Sequence, residues 1–247
     1  MNTVKSIKNL FQNHFNNAGR KKLEPENAYD IWAESYDNEN GNLMLYFDRI
    51  LFEKFLANVN LTGKNILDFG CGTGRYWKEL LKMYPDKLIG CDISKTMLAI
   101  LKKKFPGADT YIIQNNKLNF LDDLSFDFII STLVIAHIED IKDTVNEWNR
   151  LLKKGGEIFV TDFHPEALNK GAKRTFNNNG NIITIKNYTH TLERITSLFE
   201  CLGFEIIEKE EKIIDENVKK FYAKKNAIKI YKEFKNVPMI YSLHLRK

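Results

Sequence analysis

The sequence predicts an α/β fold, a mostly parallel sheet with helices on both faces. Three observations predict it. Short apolar runs near residues 64–69, 87–92, 109–114, 126–131 and 156–162 alternate with amphipathic stretches near 74–84, 94–104, 140–152 and 190–202, the rhythm of a parallel sheet. The first run, Asn65-Ile66-Leu67-Asp68-Phe69, enters the glycine loop Gly70-Cys71-Gly72-Thr73-Gly74. The second run ends on an acid, Asp92, so strand, glycine loop, helix, strand and acid follow in the order of a nucleotide-binding unit.

At the N-terminus, Val4, Ile7, Phe11, Phe15 and Ala18 recur at helical spacing, and Gly19 can end that helix. Ala28 to about Asn38 predicts a second helix and Leu43 to Val59 a third. No Gly/Ser linker follows them, so residues 1–60 read as a helical cap on a core of residues 61–247. Leu202-Gly203-Phe204 reads as a helix end feeding a strand over about 205–210, and Met239 to Leu245 as the last strand. Two insertions, near 164–190 and 211–237, read as lids. In the first, Asn177-Asn178-Asn179-Gly180 lies between Arg174-Thr175-Phe176 and Ile182-Ile183-Thr184-Ile185, a hairpin signal because Asn and Gly tolerate positive φ. In the second, Val218, Phe221, Tyr222, Ile228, Tyr231 and Phe234 keep a rough helical spacing.

Composition narrows the class. A hydrophobic fraction of 43% in 247 residues suffices for a sizeable core. No apolar run reaches the roughly 18 residues that span a membrane, and no signal peptide opens the chain; a cytoplasmic protein is expected. Cys71, Cys91 and Cys201 lack metal-ligand spacing and read as reduced packing residues, with no metal expected. The net charge of +5 gathers at the ends: residues 1–25 hold five basic and one acidic side chain, residues 205–247 eleven and seven. Without aromatic-basic interleaving these read as solvated helices, so neither nucleic acid nor membrane is the expected partner. A monomer or homodimer is expected.

The loop chemistry is selective. A dinucleotide fingerprint needs a third glycine where Arg75 stands, and Asp68 just before the loop would repel a pyrophosphate. The pair suits a ligand with an ammonium group and no phosphate. Residues 66–74 resemble the first motif of class I S-adenosylmethionine-dependent methyltransferases. The resemblance continues through Gly90-Cys91-Asp92-Ile93-Ser94 with Met97-Leu98, Ser125-Phe126-Asp127-Phe128-Ile129-Ile130, and Leu151-Leu152-Lys153-Lys154-Gly155-Gly156, over about residues 28–207. It implies a Rossmann-like seven-stranded, mostly parallel sheet whose last strand inserts antiparallel between the fifth and sixth. It also implies S-adenosylmethionine as cofactor, with S-adenosylhomocysteine as product.

The cofactor residues it implies are Gly70, Cys71, Gly72 and Gly74 in the loop, Asp68 near the ammonium and Asp92 on the ribose hydroxyls. Ile93 and Met97 would flank the adenine, and Ser131 ends the fourth strand. Gln114, followed by Asn115, stands where the family usually has an adenine-binding Asp; an amide oxygen accepts the same hydrogen bond. Tyr29-Asp30-Ile31-Trp32-Ala33-Glu34-Ser35-Tyr36-Asp37 resembles the cap segment of small-molecule methyltransferases, so Tyr29 and Tyr36 reach toward the cofactor or form one packed helix face.

The segment Ser131-Thr132-Leu133-Val134-Ile135-Ala136-His137-Ile138 lacks the Asn/Asp-Pro-Pro-aromatic motif of base-amino and glutamine methyltransferases. Methyl transfer to O, N or C of a small organic acceptor is the expected function. The alternatives are an RNA-directed methyltransferase and a non-catalytic cofactor-binding partner protein. Among five histidines, His164 and His137 are the first candidates for a general base, since both follow strands at the edge where the acceptor arrives. His190, Tyr188 and Arg174 are candidate acceptor contacts; Lys170, Lys173 and Arg174 could bind an anionic acceptor, but a charge run of this kind is usually a solvated face.

Overall fold

A computed structural model describes residues 21–38, 41–224 and 226–247. The helix expected over Val4 to Ala18, with Gly19 and His14, lies outside the described residues. The chain runs β1 (Lys21–Leu23), α1 (Pro25–Tyr36), α2 (Leu43–Asn58), β2 (Asn65–Phe69), α3 (Trp77–Leu81), β3 (Lys87–Asp92), α4 (Lys95–Lys104), β4 (Asp109–Ile112) and β5 (Phe126–Thr132). A 3-10 turn at Ile135–His137 leads to α5 (Ile141–Leu151), β6 (Leu152–Phe163), α6 (Pro165–Asn169), β7 (Thr175–Asn178), β8 (Asn181–Ile185), α7 (Leu192–Glu200) and β9 (Glu205–Ile213). A second 3-10 turn, Glu216–Val218, precedes α8 (Lys219–Lys224), α9 (Ile228–Phe234) and β10 (Pro238–Arg246).

The main sheet has seven strands in the order β4-β3-β2-β5-β6-β10-β9. β10 runs antiparallel to β6 and β9, and the remaining pairs are parallel. This is the expected seven-stranded, mostly parallel architecture. Neighbouring residues on a strand point to opposite faces, so Ile66, Ile130 and Phe159 pack with Phe52, Phe55 and Trp77 in one core. Leu67, Ile129 and Val160 pack with Trp148, Ile195 and Phe199 in the other.

The helical spacing in 213–237 has a packing explanation. Val218, Tyr222, Tyr231 and Phe234 bury into the first core beside α2. α3 is shorter than the sequence pattern suggests, because Gly74 at φ +70 holds the chain in turns until Tyr76.

A second sheet has the order β1-β8-β7 and joins Lys21–Leu23 to the two strands of the first insertion. The expected hairpin is present, with Asn179 and Gly180 both at positive φ in its turn. β1 pairs parallel to β8, a long-range pairing that local pattern does not announce. α1 packs on this sheet through Trp32, stacked on Phe176 at 4.7 Å between ring centroids. The same cluster includes Met97 of α4, so the small sheet and α1 rest on the core.

Gly90, in the middle of β3, has a spatial role. A Cβ there would stand 2.7 Å from Cys71 Sγ and 2.8 Å from Trp77 Cζ2. The bare backbone lets the glycine loop fold down onto β3. Gly90→Ala is expected to lower stability by about 1–3 kcal/mol through overpacking. The urea midpoint should fall at unchanged slope; an unchanged midpoint would show that the loop gives way freely.

Candidate functional site

β2, β3 and β5 end on one edge of the sheet, and the loops that follow them enclose a cavity of about 460 Å3. The glycine loop is bent back over β3: the Gly70 and Cys71 amides both donate to the Cys91 carbonyl, at 2.8 and 3.0 Å. Gly70 sits at φ +75, and a Cβ would stand 2.3 Å from Val134 Cγ2. Gly72, at φ +53, faces open space. Asp92 fastens this arrangement, one carboxylate oxygen accepting from Gly72 N and the other from Ser94 N, each at 2.8 Å. Ser94 caps α4 by accepting from Met97 N.

The cap helix is tied across the cavity by its two aspartates. Asp30 accepts from Ser94 Oγ at 2.5 Å and Thr96 N at 3.1 Å, fixing α1 to the start of α4. Asp37 accepts from Thr73 Oγ1 at 2.7 Å and pairs with Lys104 at 2.9 Å. With the aspartates engaged, Tyr29 and Tyr36 line the cavity. Their Tyr-Asp spacing in the sequence is the signal that could have located these two anchors.

Of the expected cofactor residues, Tyr29, Tyr36, Gly70, Gly72, Asp92, Ile93, Met97, Gln114 and Asn115 line the cavity. Asp68, Cys71, Gly74 and Ser131 stand behind that lining. Asp68 is buried and accepts from Trp77 Nε1 at 2.8 Å. A Cβ at Gly74 would press on Leu101, and the buried Ser131 hydroxyl has no hydrogen-bond partner. Burial pushes the Asp68 carboxyl up to about 7 and Asp92 up to about 6, Asp68 further raised by the Asp92 charge beside it.

The candidate acceptor residues divide. His137 lines the cavity. Its Nδ1 is 3.0 Å from the Lys186 carbonyl, which can only accept, so Nδ1 carries the proton. Nε2 therefore accepts from the Tyr29 hydroxyl at 2.9 Å. Burial, with the nearby Arg174 charge, pushes His137 down to about 3, and it is neutral. Tyr29 is held in its protonated form, its pKa raised by burial. Tyr188 also lines the cavity, donating to Glu139 at 3.1 Å.

His164, His190 and Arg174 do not line it. His164 caps the short helix α6, with Nδ1 accepting from Glu166 N at 3.2 Å, so its side chain serves the end of β6. His190 Nε2 donates to the Ile138 carbonyl at 2.8 Å. Arg174 is buried rather than solvated. None of residues 211–237 lines the cavity. Asp162, which the sequence reading missed, accepts from Ala136 N and Phe163 N at 2.6 Å each, fixing the turn that carries His137.

Comparison with known proteins bears on these features. The family profile described as "Methyltransferase domain" matches residues 67–160. An uncharacterized methyltransferase of Bacillus cytotoxicus is 30% identical over 190 residues, covering 72% of this chain and 88% of that protein. The mitochondrial ubiquinone biosynthesis O-methyltransferase of Dictyostelium discoideum is 28% identical over 139 residues, 51% of this chain and 43% of that protein. The crystal structure of an S-adenosylmethionine-dependent methyltransferase from Mesorhizobium loti shares the fold. Its TM-score is 0.63 at 19% identity, over 80% of this chain and 98% of that one.

Proposed function

The chain belongs to the class I S-adenosylmethionine-dependent methyltransferases, and from that premise we propose that it methylates oxygen, nitrogen or carbon of a small organic acceptor held beneath the lid. The observation that carries this reading is the cavity. Its volume of about 460 Å3 lies in the range of small-ligand pockets, and Asp30 and Asp37 fasten the cap across it. The ubiquinone-pathway relative, an O-methyltransferase by name, supports a small-molecule acceptor.

The residues present fit the cofactor. Gly72 leaves free the space a Cβ would take. Asp92, already at the end of β3, would accept the ribose hydroxyls; Ile93 and Met97 would flank the adenine, with Gln114 and Asn115 at its edge. Asp68 would act on the ammonium from behind the loop, beside Cys71, Gly74 and Ser131. Tyr29 and Tyr36 would border the amino-acid end. Bound S-adenosylmethionine supplies a methyl group on a sulfonium, already activated toward a nucleophile. The protein's task is then to position the acceptor and exclude water.

Tyr29 and His137 would do the positioning. Because the Tyr29 hydroxyl donates its hydrogen bond to His137 Nε2, the lone pairs of the Tyr29 oxygen are left to receive a hydrogen bond from an acceptor hydroxyl or amine. His137 therefore acts through Tyr29, and a neutral imidazole is the state that permits it. Tyr29→Phe is expected to lower kcat/KM about tenfold, the value of one good hydrogen bond. His164→Ala should leave turnover unchanged and cost about 1 kcal/mol of stability as a lost helix cap. Equal losses in the two variants would reverse these assignments.

The deciding experiment is calorimetric titration with S-adenosylhomocysteine, followed by a radiolabelled methyl-transfer screen over small phenols, amines and carboxylic acids, with bulk RNA as a separate arm. Transfer to a small molecule supports the proposal. Transfer to RNA alone, or cofactor binding without transfer to any arm, overturns it.

A further inference from the structure

Arg174 presents an unsolved electrostatic problem. Its side chain is only 3% exposed. Nη2 donates to the Tyr36 hydroxyl at 3.2 Å. The guanidinium carbon lies 5.3 Å from the Trp32 ring, 5.8 Å from Tyr29 and 5.7 Å from Phe163. Nε is buried without any hydrogen-bond partner. Among the described residues no carboxylate comes within ion-pair distance of it. Asp162 is near enough to be felt electrostatically, but both its oxygens are engaged by backbone amides.

Arg75 provides the contrast within the same molecule. It too is largely buried, and it is paired with Asp48. A buried guanidinium without such a partner is costly, because the aromatic rings around it replace only part of its lost hydration. An orphaned buried N–H adds to that cost. The strain is relieved if an anion arrives with the ligand. Arg174 stands directly behind the cavity wall: it does not itself line the cavity, but Tyr36, which holds it, does, as does the neighbouring Tyr29.

We propose that Arg174, oriented by Tyr36, is the receptor for a carboxylate or similar oxyanion carried by a ligand of the cleft. The inference rests on the methyltransferase reading. Two ligands can bring the group: the amino-acid end of the cofactor, or an acidic acceptor. Both use the same chemistry, an oxyanion against a guanidinium N–H fork with a tyrosine hydroxyl beside it.

The test compares the wild type with Arg174→Met, which keeps the apolar stem and removes the charge. Calorimetry is run with S-adenosylhomocysteine and with 5′-methylthioadenosine, which has the same nucleoside and thioether but no carboxylate. Benzoate and inorganic phosphate are then titrated into the S-adenosylhomocysteine complex. If Arg174 holds the cofactor's carboxylate, the variant binds S-adenosylhomocysteine at least tenfold more weakly and methylthioadenosine as before. If it holds the acceptor's anion, S-adenosylhomocysteine binding is unchanged, while benzoate or phosphate binds the wild-type complex and not the variant. Either result supports the proposal. Identical binding of every probe to the two proteins, or no binding of either anion with S-adenosylhomocysteine unaffected, overturns it. Failure of the wild type to bind S-adenosylhomocysteine would instead strike the methyltransferase reading. Should Arg174→Met not fold, Arg174→Lys carries the same comparison. It keeps the charge but loses the planar fork, and at least a threefold loss for the same ligand is expected; no loss overturns the proposal.

Discussion

Asp92→Ala is expected to weaken S-adenosylhomocysteine binding by about a hundredfold. Hydrogen bonds to a charged group are worth roughly 1.5–3 kcal/mol each, and the substitution removes more than the proposed ribose contact. It also releases Gly72 N and Ser94 N, which the carboxylate holds at 2.8 Å. The glycine loop then loses its tie to the start of α4. An affinity within threefold of wild type would remove Asp92 from the site.

The same carboxyl group gives the binding a pH dependence of defined sign. In the ligand-free protein, burial raises Asp92 to about 6 and Asp68 to about 7. A ligand that offers hydroxyl donors and an ammonium group prefers both as carboxylates, so binding expels protons. Affinity should therefore rise as pH increases from 5 to 7.5, and calorimetry at pH 6 in buffers of different ionisation heat should show net proton release. Stability of the ligand-free protein runs the other way. Between about pH 4 and 7 the fold retains protons that the unfolded chain has released, so these two groups make the fold less stable as pH rises through that window. In Asp92→Ala the affinity profile should flatten; an unchanged slope would assign the proton release elsewhere.

Asp48→Ala is expected to carry the largest cost to stability, about 3–5 kcal/mol, because it breaks a buried ion pair from one side. Asp48 is fully buried on α2. It accepts from the Tyr76 hydroxyl at 2.6 Å and also from the Thr161 hydroxyl and the Arg75 guanidinium. Removing it strands the Arg75 charge inside the protein. For a chain of this size that corresponds to a fall in Tm of roughly 10 °C. The double variant Asp48→Leu, Arg75→Met removes both charges and should recover much of the loss, since a buried pair replaced by apolar groups is often neutral. A double variant no more stable than Asp48→Ala would show that packing of the two stems, and not the stranded charge, sets the cost.

The architecture and the glycine-loop cleft are encoded locally in the sequence. Alternating apolar periods of two and 3.6 residues are local properties, and they specified β2 to β6 and the helices between them. Gly70, Gly72 and Gly74 with Asp92 were legible because positive φ and a close backbone approach leave glycine as the natural choice, and all three glycines adopt positive φ. The hairpin turn at Asn179-Gly180 was legible for the same reason.

Charged and titratable side chains acquire their environments only when the chain folds. Asp48 sits in the helix Leu43-Met44-Leu45-Tyr46-Phe47-Asp48-Arg49, where a lone acid reads as solvent-facing. It is buried because Arg75, Tyr76 and Thr161 converge on it from two other segments. Arg174, in a basic run that reads as a solvated face, is roofed by Trp32 and Tyr36 of α1. His164 follows its strand as a base would, yet it turns to cap α6, while His137 has its proton placed by the Lys186 carbonyl and its lone pair by Tyr29. Periodicity records which face of an element is apolar. Whether a charge is buried, paired or neutral depends on partners distant in sequence, and only folding brings them within hydrogen-bond distance.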